Sequence, residues 1–136
     1  MNVLSWFLKI FDRDDAVVPG QGMITFVGGS LIVLYLFSFN VALASIMVLT
    51  LGDSFCHLGG KGRIKNPFNN TKNIEGILIG TLIAMFGASL FVPIFKAFFG
   101  SLIAIGIESL DLKFNGRNID DNLFIPLIAG IVIAFM

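Results

Sequence analysis

Three polar segments, residues 12–21, 59–74 and 110–121, interrupt an otherwise apolar chain, and any fold must accommodate where they fall. Between and around them lie five apolar stretches: 22–39, 40–58, 75–92, 93–109 and 121–136. Crossing a bilayer core of about 30 Å takes roughly 20 such residues per helix, and roughly 17 as a lower bound. With 56% apolar and only 13% charged residues, the chain lies outside the range of ordinary soluble domains. The expected fold class is therefore all-α: a polytopic membrane helix bundle of about five transmembrane helices. "SFNV" and "FVPIFK" close two of the connections tightly, and Pro93 can open a helix but not continue one. Both connections read as helical hairpins.

At 136 residues the chain is one domain, with 1–21 as an interfacial N-terminal segment and 22–136 as the helical bundle. "MNVLSWFLKIFDRDD" lacks the order of a cleaved signal peptide, and residues 3–11 read as an interfacial segment with Trp6 at headgroup level. Cys56 is the single cysteine, which excludes an internal disulfide and a cysteine-based metal site.

The five-span reading puts all three polar segments on one side. Lys9, Arg13, Lys61, Arg63, Lys65, Lys72, Lys113 and Arg117, eight of the nine basic residues, fall there, leaving Lys96 opposite. The positive-inside rule makes that side cytoplasmic. All nine acids share it: Asp12, Asp14, Asp15, Asp53, Glu75, Glu108, Asp111, Asp120 and Asp121. The expected localisation is integral membrane and multi-pass, with the chemistry at the cytoplasmic interface. Gly76, Gly80, Ala84 and Ala88 form a small-residue stripe on which another helix can pack. Gly100, Ala104 and Glu108 form a second, which turns Glu108 into the bundle.

Asp53 ends an apolar run, where a carboxylate is costly unless paired, hydrated or metal-bound. His57 and Lys61 follow on the same face if the helix continues, but one histidine alone is a weak metal signal. In "GGKGRIKNPFNNTKN", Gly59, Gly60 and Gly62 allow backbone N–H groups to turn toward an anion, with Lys61, Arg63, Lys65 and Lys72 around it. This is not a Walker-type loop, because Phe55 stands where its first glycine belongs and Gly62 where its hydroxyl residue belongs. "TKNIEG" sets Lys72 and Glu75 at a helix start, where the dipole favours an acid and phosphates alike. In "NGRNIDDN", Asn118 is placed to cap the last helix, while Asp120, Asp121 and Asn122 offer oxygens to a hard cation such as magnesium. Carboxylates from three segments and a basic loop on one membrane face suit phosphate transfer to a lipid headgroup.

Asp53-x-x-Cys56, then Gly60-Lys61, then Lys72-x-x-Glu75-Gly76, followed by "ESLDLKFNGRNIDDNLFIPL", resembles the CTP-dependent lipid kinases that act on dolichol, polyprenol and phytol. That family belongs to a superfamily with phosphatidate cytidylyltransferase, and the resemblance covers residues 19–136. It departs from the family pattern at Cys56, where alanine is usual, at Ile64, where a second loop glycine is common, and at Asn73, where serine or threonine is usual. Family members carry further helices ahead of this region, so this chain is either minimal or missing its front; if those helices build part of the lipid groove, another subunit supplies it here, which leaves room for a homo-oligomer.

The resemblance implies a single integral-membrane lipid-kinase-like domain that uses Mg2+ and takes CTP as phosphate donor. Its partners are CTP and a membrane lipid alcohol, with no nucleic acid. Asp53, Lys72, Glu75 and Glu108 are the implied catalytic residues. Gly60, Lys61, Arg63, Lys65, Gly76 and Asn122 are implied at the nucleotide, and Asp53, Asp120 and Asp121 at the metal. Three alternatives stand beside this: a CDP-lipid synthase, a diacylglycerol kinase, and a small transporter or channel subunit. The synthase branch's histidine–glycine–glycine string is absent from "NIDDNLFIPL" and its surroundings. Transporters gather ionisable groups at the midplane rather than at one interface.

Overall fold

The computed structural model describes residues 2–6, 18, 20–58, 64–67, 69–110, 113–114, 117–118 and 120–136. The protein is mostly helical. Among the described residues, five main helices follow one another: α1 (Gln21–Leu36), α2 (Phe39–Leu58), α3 (Ile74–Ala88), α4 (Ile94–Glu108) and α5 (Asp121–Phe135). Two small antiparallel hairpins sit in the connections. β1 (Lys65–Asn66) pairs with β2 (Asn69–Asn73) before α3, and β3 (Lys113–Phe114) pairs with β4 (Arg117–Asn118) before α5. Residues 3–6 form a helical turn in which Trp6 is exposed.

The element boundaries have local causes. Gly20 precedes α1 at φ 81°, a left-handed conformation that glycine adopts without a Cβ penalty. Pro93 stands at the N-cap of α4, where its missing N–H costs nothing, as its position in "FVPIFK" leads one to expect. α5 is capped by Asp120, whose carboxylate accepts from the Asn122 N–H at 3.1 Å. That corrects the expected cap at Asn118, which is instead taken up by β4, opposite Lys113.

Small side chains make up much of the interior, and Val48, Leu49, Ile105, Ile125 and Ile133 fill the rest. α2 and α3 pack most extensively, joined by α4 and α5, and α1 lies against α5 and α2. Gly76, Gly80, Ala84 and Ala88 are all buried on α3, and Gly100 and Ala104 on α4, so both stripes are packing faces. A Cβ built on Gly80 would lie 2.5 Å from the Cys56 Sγ and 2.8 Å from the Gly52 carbonyl oxygen. Only glycine permits that approach of α3 to α2. Other large apolar residues point outward: Tyr35, Phe39, Leu78, Leu82, Phe86 and Leu90 are exposed.

Pro126 lies inside α5 and removes the N–H that would bond the Asn122 carbonyl. That oxygen is tucked against Gly29 of α1, where any Cβ would collide with it. Among the described residues, only α2, at 20 residues, is long and apolar enough to cross a membrane; α1, α3 and α5 are shorter apolar helices.

Candidate functional site

The C-terminal ends of α2 and α4 and the N-terminal ends of α3 and α5 meet at one end of the assembly, because consecutive helices run antiparallel. Asp53 lies near the end of α2, Glu108 is the last residue of α4, and Asp121 is the first of α5. Their carboxylate oxygens lie within 4.8 Å of one another. Lys72, from β2 just ahead of α3, is buried among them. Its ammonium ion-pairs with the Glu108 carboxylate and lies 3.8 Å from Asp53 Oδ1. His57, one turn after Asp53, places Nε2 3.1 Å from the same Oδ1 while remaining exposed.

Among the described residues, the three carboxylates of this cluster repel one another. Each like-charge pair at such separations costs about 3–4 kcal/mol at an effective dielectric of about 20. Glu108 also sits at the negative end of the α4 dipole, the wrong end for an acid. Its side chain is only 3% exposed, its Oε1 faces the Lys72 ammonium, and among the described residues no donor bonds its Oε2. Lys72 supplies one positive charge against three negative ones. Three carboxylates whose oxygens lie this close are the oxygen donors a hard divalent cation takes.

Two further contacts hold the frame. Asn66, buried on β1, donates from Nδ2 to the Ser109 carbonyl oxygen at 3.0 Å, fastening the hairpin of Lys72 to the end of the helix of Glu108. Asn122 donates from Nδ2 to the Gly22 carbonyl oxygen and to Thr25 Oγ1, each at 3.2 Å, fastening α5 to α1 beside Asp121.

These contacts redistribute the expected roles. Asp120, expected at the metal, is the helix cap, and Glu108 completes the set with Asp53 and Asp121. The Asn122 amide, expected at the nucleotide, is engaged by α1. Lys72 belongs to the interior of the cluster rather than to an open phosphate surface. Glu75 lies in the first turn of α3, Gly76 is buried just after it, and Lys65 is exposed on β1. Gly60, Lys61 and Arg63 lie outside the described residues, as do Gly59 and Gly62.

Beside the cluster, α4 and α5 leave a partly open groove of about 300 Å³, counting the space continuous with the outside. Ala104, Ile107, Phe124, Ile125 and Ile128 form its walls, and Glu108 and Asp121 its polar end. Sequence reading did not find this groove or the Asn66 link. Periodicity shows which residues share a helix face, but not which two helices will be neighbours. Comparison with protein-family models, curated proteins and solved structures gave no match.

Proposed function

We propose that this chain is a membrane-embedded, CTP-dependent lipid kinase. It transfers the terminal phosphate of CTP to the hydroxyl of a long-chain isoprenoid alcohol, of dolichol or polyprenol type, at the cytoplasmic face. The observation that carries the reading is the convergence of Asp53, Glu108 and Asp121 around Lys72 at one end of the helices. Phosphoryl transfer asks a protein mainly to position its reactants and to neutralise charge, which is what such a cluster is suited to do.

The membrane setting is supported by the outward-facing apolar residues on every main helix and by the small-residue interior. After α3 the apolar sequence continues through the turn Ser89–Val92, so that span exceeds its helix. Modest thinning of the bilayer accommodates the remaining difference.

In this reading Asp53 and Asp121 would hold a magnesium ion with Glu108 in reach, and the ion would neutralise charge on the phosphates of CTP. Lys72 fixes Glu108 in position. Glu108 accepts the proton of the alcohol as its oxygen bonds to the terminal phosphorus. The bond from that phosphorus to the bridging oxygen breaks, and CDP leaves with the electron pair. The basic loop with Gly60, Lys61, Arg63 and Lys65 is assigned to the nucleotide, with Glu75 and Gly76 at the start of α3.

The test is to supply membranes containing the protein with an isoprenoid alcohol and CTP labelled either on the terminal phosphate or in the cytosine. Terminal-phosphate label is expected in the lipid fraction, with cytosine label staying in water. Cytosine label in the lipid would make the protein a CDP-lipid synthase, and no transfer of either label would remove the kinase reading.

A further inference from the structure

We infer that Lys72 and a divalent cation exchange places: the ammonium holds its position among the carboxylates until a cation binds there and drives it out toward phosphate. The exchange rests on the cluster alone; the phosphate as destination rests on the kinase reading.

The cluster gives two positive groups one place. Asp53, Glu108 and Asp121 bring carboxylate oxygens within 4.8 Å of one another, a set that one hard ion can share. The Lys72 ammonium pairs with Glu108 and lies 3.8 Å from Asp53 Oδ1. An ion seated on these carboxylates stands beside the ammonium, and its double charge repels Lys72 twice as strongly as a single one would. Salt does little to relieve this, since Lys72 and Glu108 are only 4% and 3% exposed. The way in is also present. Among the described residues no donor bonds Glu108 Oε2, so the pairing with Lys72 leaves a buried oxygen to receive the ion.

Of the four groups, Lys72 is the one built to leave. Asp53, Glu108 and Asp121 belong to main helices that pack against one another. Lys72 stands on β2, with its charge at the end of a flexible four-carbon stem. Rotation about that stem carries the ammonium out while Asn66 still fastens the hairpin to the Ser109 carbonyl oxygen. Lys72 lies just ahead of Ile74, the first residue of α3, so it emerges beside a helix start, the end that favours phosphate.

The hold of Lys72 on Glu108 therefore lasts only until the ion arrives. It keeps a buried carboxylate paired in the meantime, and it couples two binding events. The ion expels the ammonium and a phosphate gives it a new partner, so each tightens the binding of the other by the same factor.

The experiment uses the full chain in nanodiscs of zwitterionic lipid, without nucleotide, with Mn2+ as the probe. Ion binding is read from loss of the free Mn2+ paramagnetic resonance signal. Lysine access is read from the rate of acetylation by a small amine reagent, mapped by peptide mass spectrometry. Saturating Mn2+ should speed acetylation of Lys72 about tenfold or more, since a buried group reacts through its open form. Exposed Lys65 should not change. Lys72→Met removes the competitor and should bind Mn2+ about fivefold or more tightly than wild type, the lower end of ordinary coupling between sites. Loss of a lysine that merely braced the cluster would weaken the binding instead. Lys72 shielded at saturating Mn2+, Lys72 equally reactive without it, weaker binding by a folded Lys72→Met, or no binding of Mn2+ would each overturn the exchange. The wild-type acetylation decides even if the variant fails to fold. Mn2+-driven exposure of Lys72 in a protein that transfers no label from CTP removes the kinase reading and keeps the exchange. Label transfer with Lys72 shielded throughout does the reverse.

Discussion

At the scale of single residues, Lys72 and Glu108 depend on each other. Both side chains are almost fully buried, at 4% and 3% exposure, so removing Lys72 leaves Glu108 without its partner and removing Glu108 leaves Lys72 with Asp53 at 3.8 Å. Lys72→Met and Glu108→Gln should each destabilise the protein by about 3–5 kcal/mol, and the double variant by markedly less than the sum. Thermal unfolding in detergent measures this, and additive losses would mean that the two do not act as a pair. Activity should separate from stability here, since the double variant should fold yet transfer no phosphate. Asp53→Asn keeps size and hydrogen bonding but not charge. It is expected to leave less than a tenth of the activity, a loss of at least about 1.4 kcal/mol of transition-state stabilisation, at normal membrane levels. Near-normal turnover would reduce Asp53 to a helix-end residue. Asp53 and Asp121 were legible as candidates because acids interrupting apolar sequence need a reason. The burial of Lys72 was not, since a lysine in a polar loop reads as solvated until its neighbours are known.

At the scale of elements, the two kinds of glycine should behave differently. Gly80 faces the Cys56 sulfur and the Gly52 carbonyl at distances no Cβ tolerates, whereas a Cβ on Gly106 meets nothing within 4 Å. Gly80→Ala should cost about 1–3 kcal/mol as an overpacked contact, and Gly106→Ala should be neutral or mildly stabilising. Adding Cys56→Ala to Gly80→Ala should recover only part of the loss, because the Gly52 carbonyl remains 2.8 Å away. Full recovery would place the conflict at the sulfur alone. The helices were legible to within a few residues, since apolar length and the proline at 93 mark them, and every-fourth-residue small side chains marked the packing faces. The hairpins were not. β1 to β4 are short and polar, with no alternating pattern, and their pairing depends on the helices that bring their ends together. The same blindness moved the cap of α5 from Asn118 to Asp120.

At the scale of the whole molecule, the proposed orientation places residue 65 in the cytoplasm and residue 95 on the other side. Cysteines introduced as Lys65→Cys and Phe95→Cys in a Cys56→Ser background should react with an impermeant maleimide from opposite faces of sealed vesicles. Both Lys65 and Phe95 are exposed, so access alone does not decide the result. Labelling from one face would sink the five-span topology. The Asn66–Ser109 bond and the pairing of Lys72 with Glu108 also bear on biosynthesis. When the ribosome has made α3, Lys72 has Asp53 beside it, but its second carboxylate lies 36 positions further along the chain. Until α4 is made, the half-finished protein holds a lysine that must stay hydrated, so β2 cannot dock with Lys72 buried. Arrival of Glu108 and Ser109 lets it settle, and Asp121 follows only with the last helix. A chain terminated early would thus keep Lys72 in water, where the finished molecule buries it.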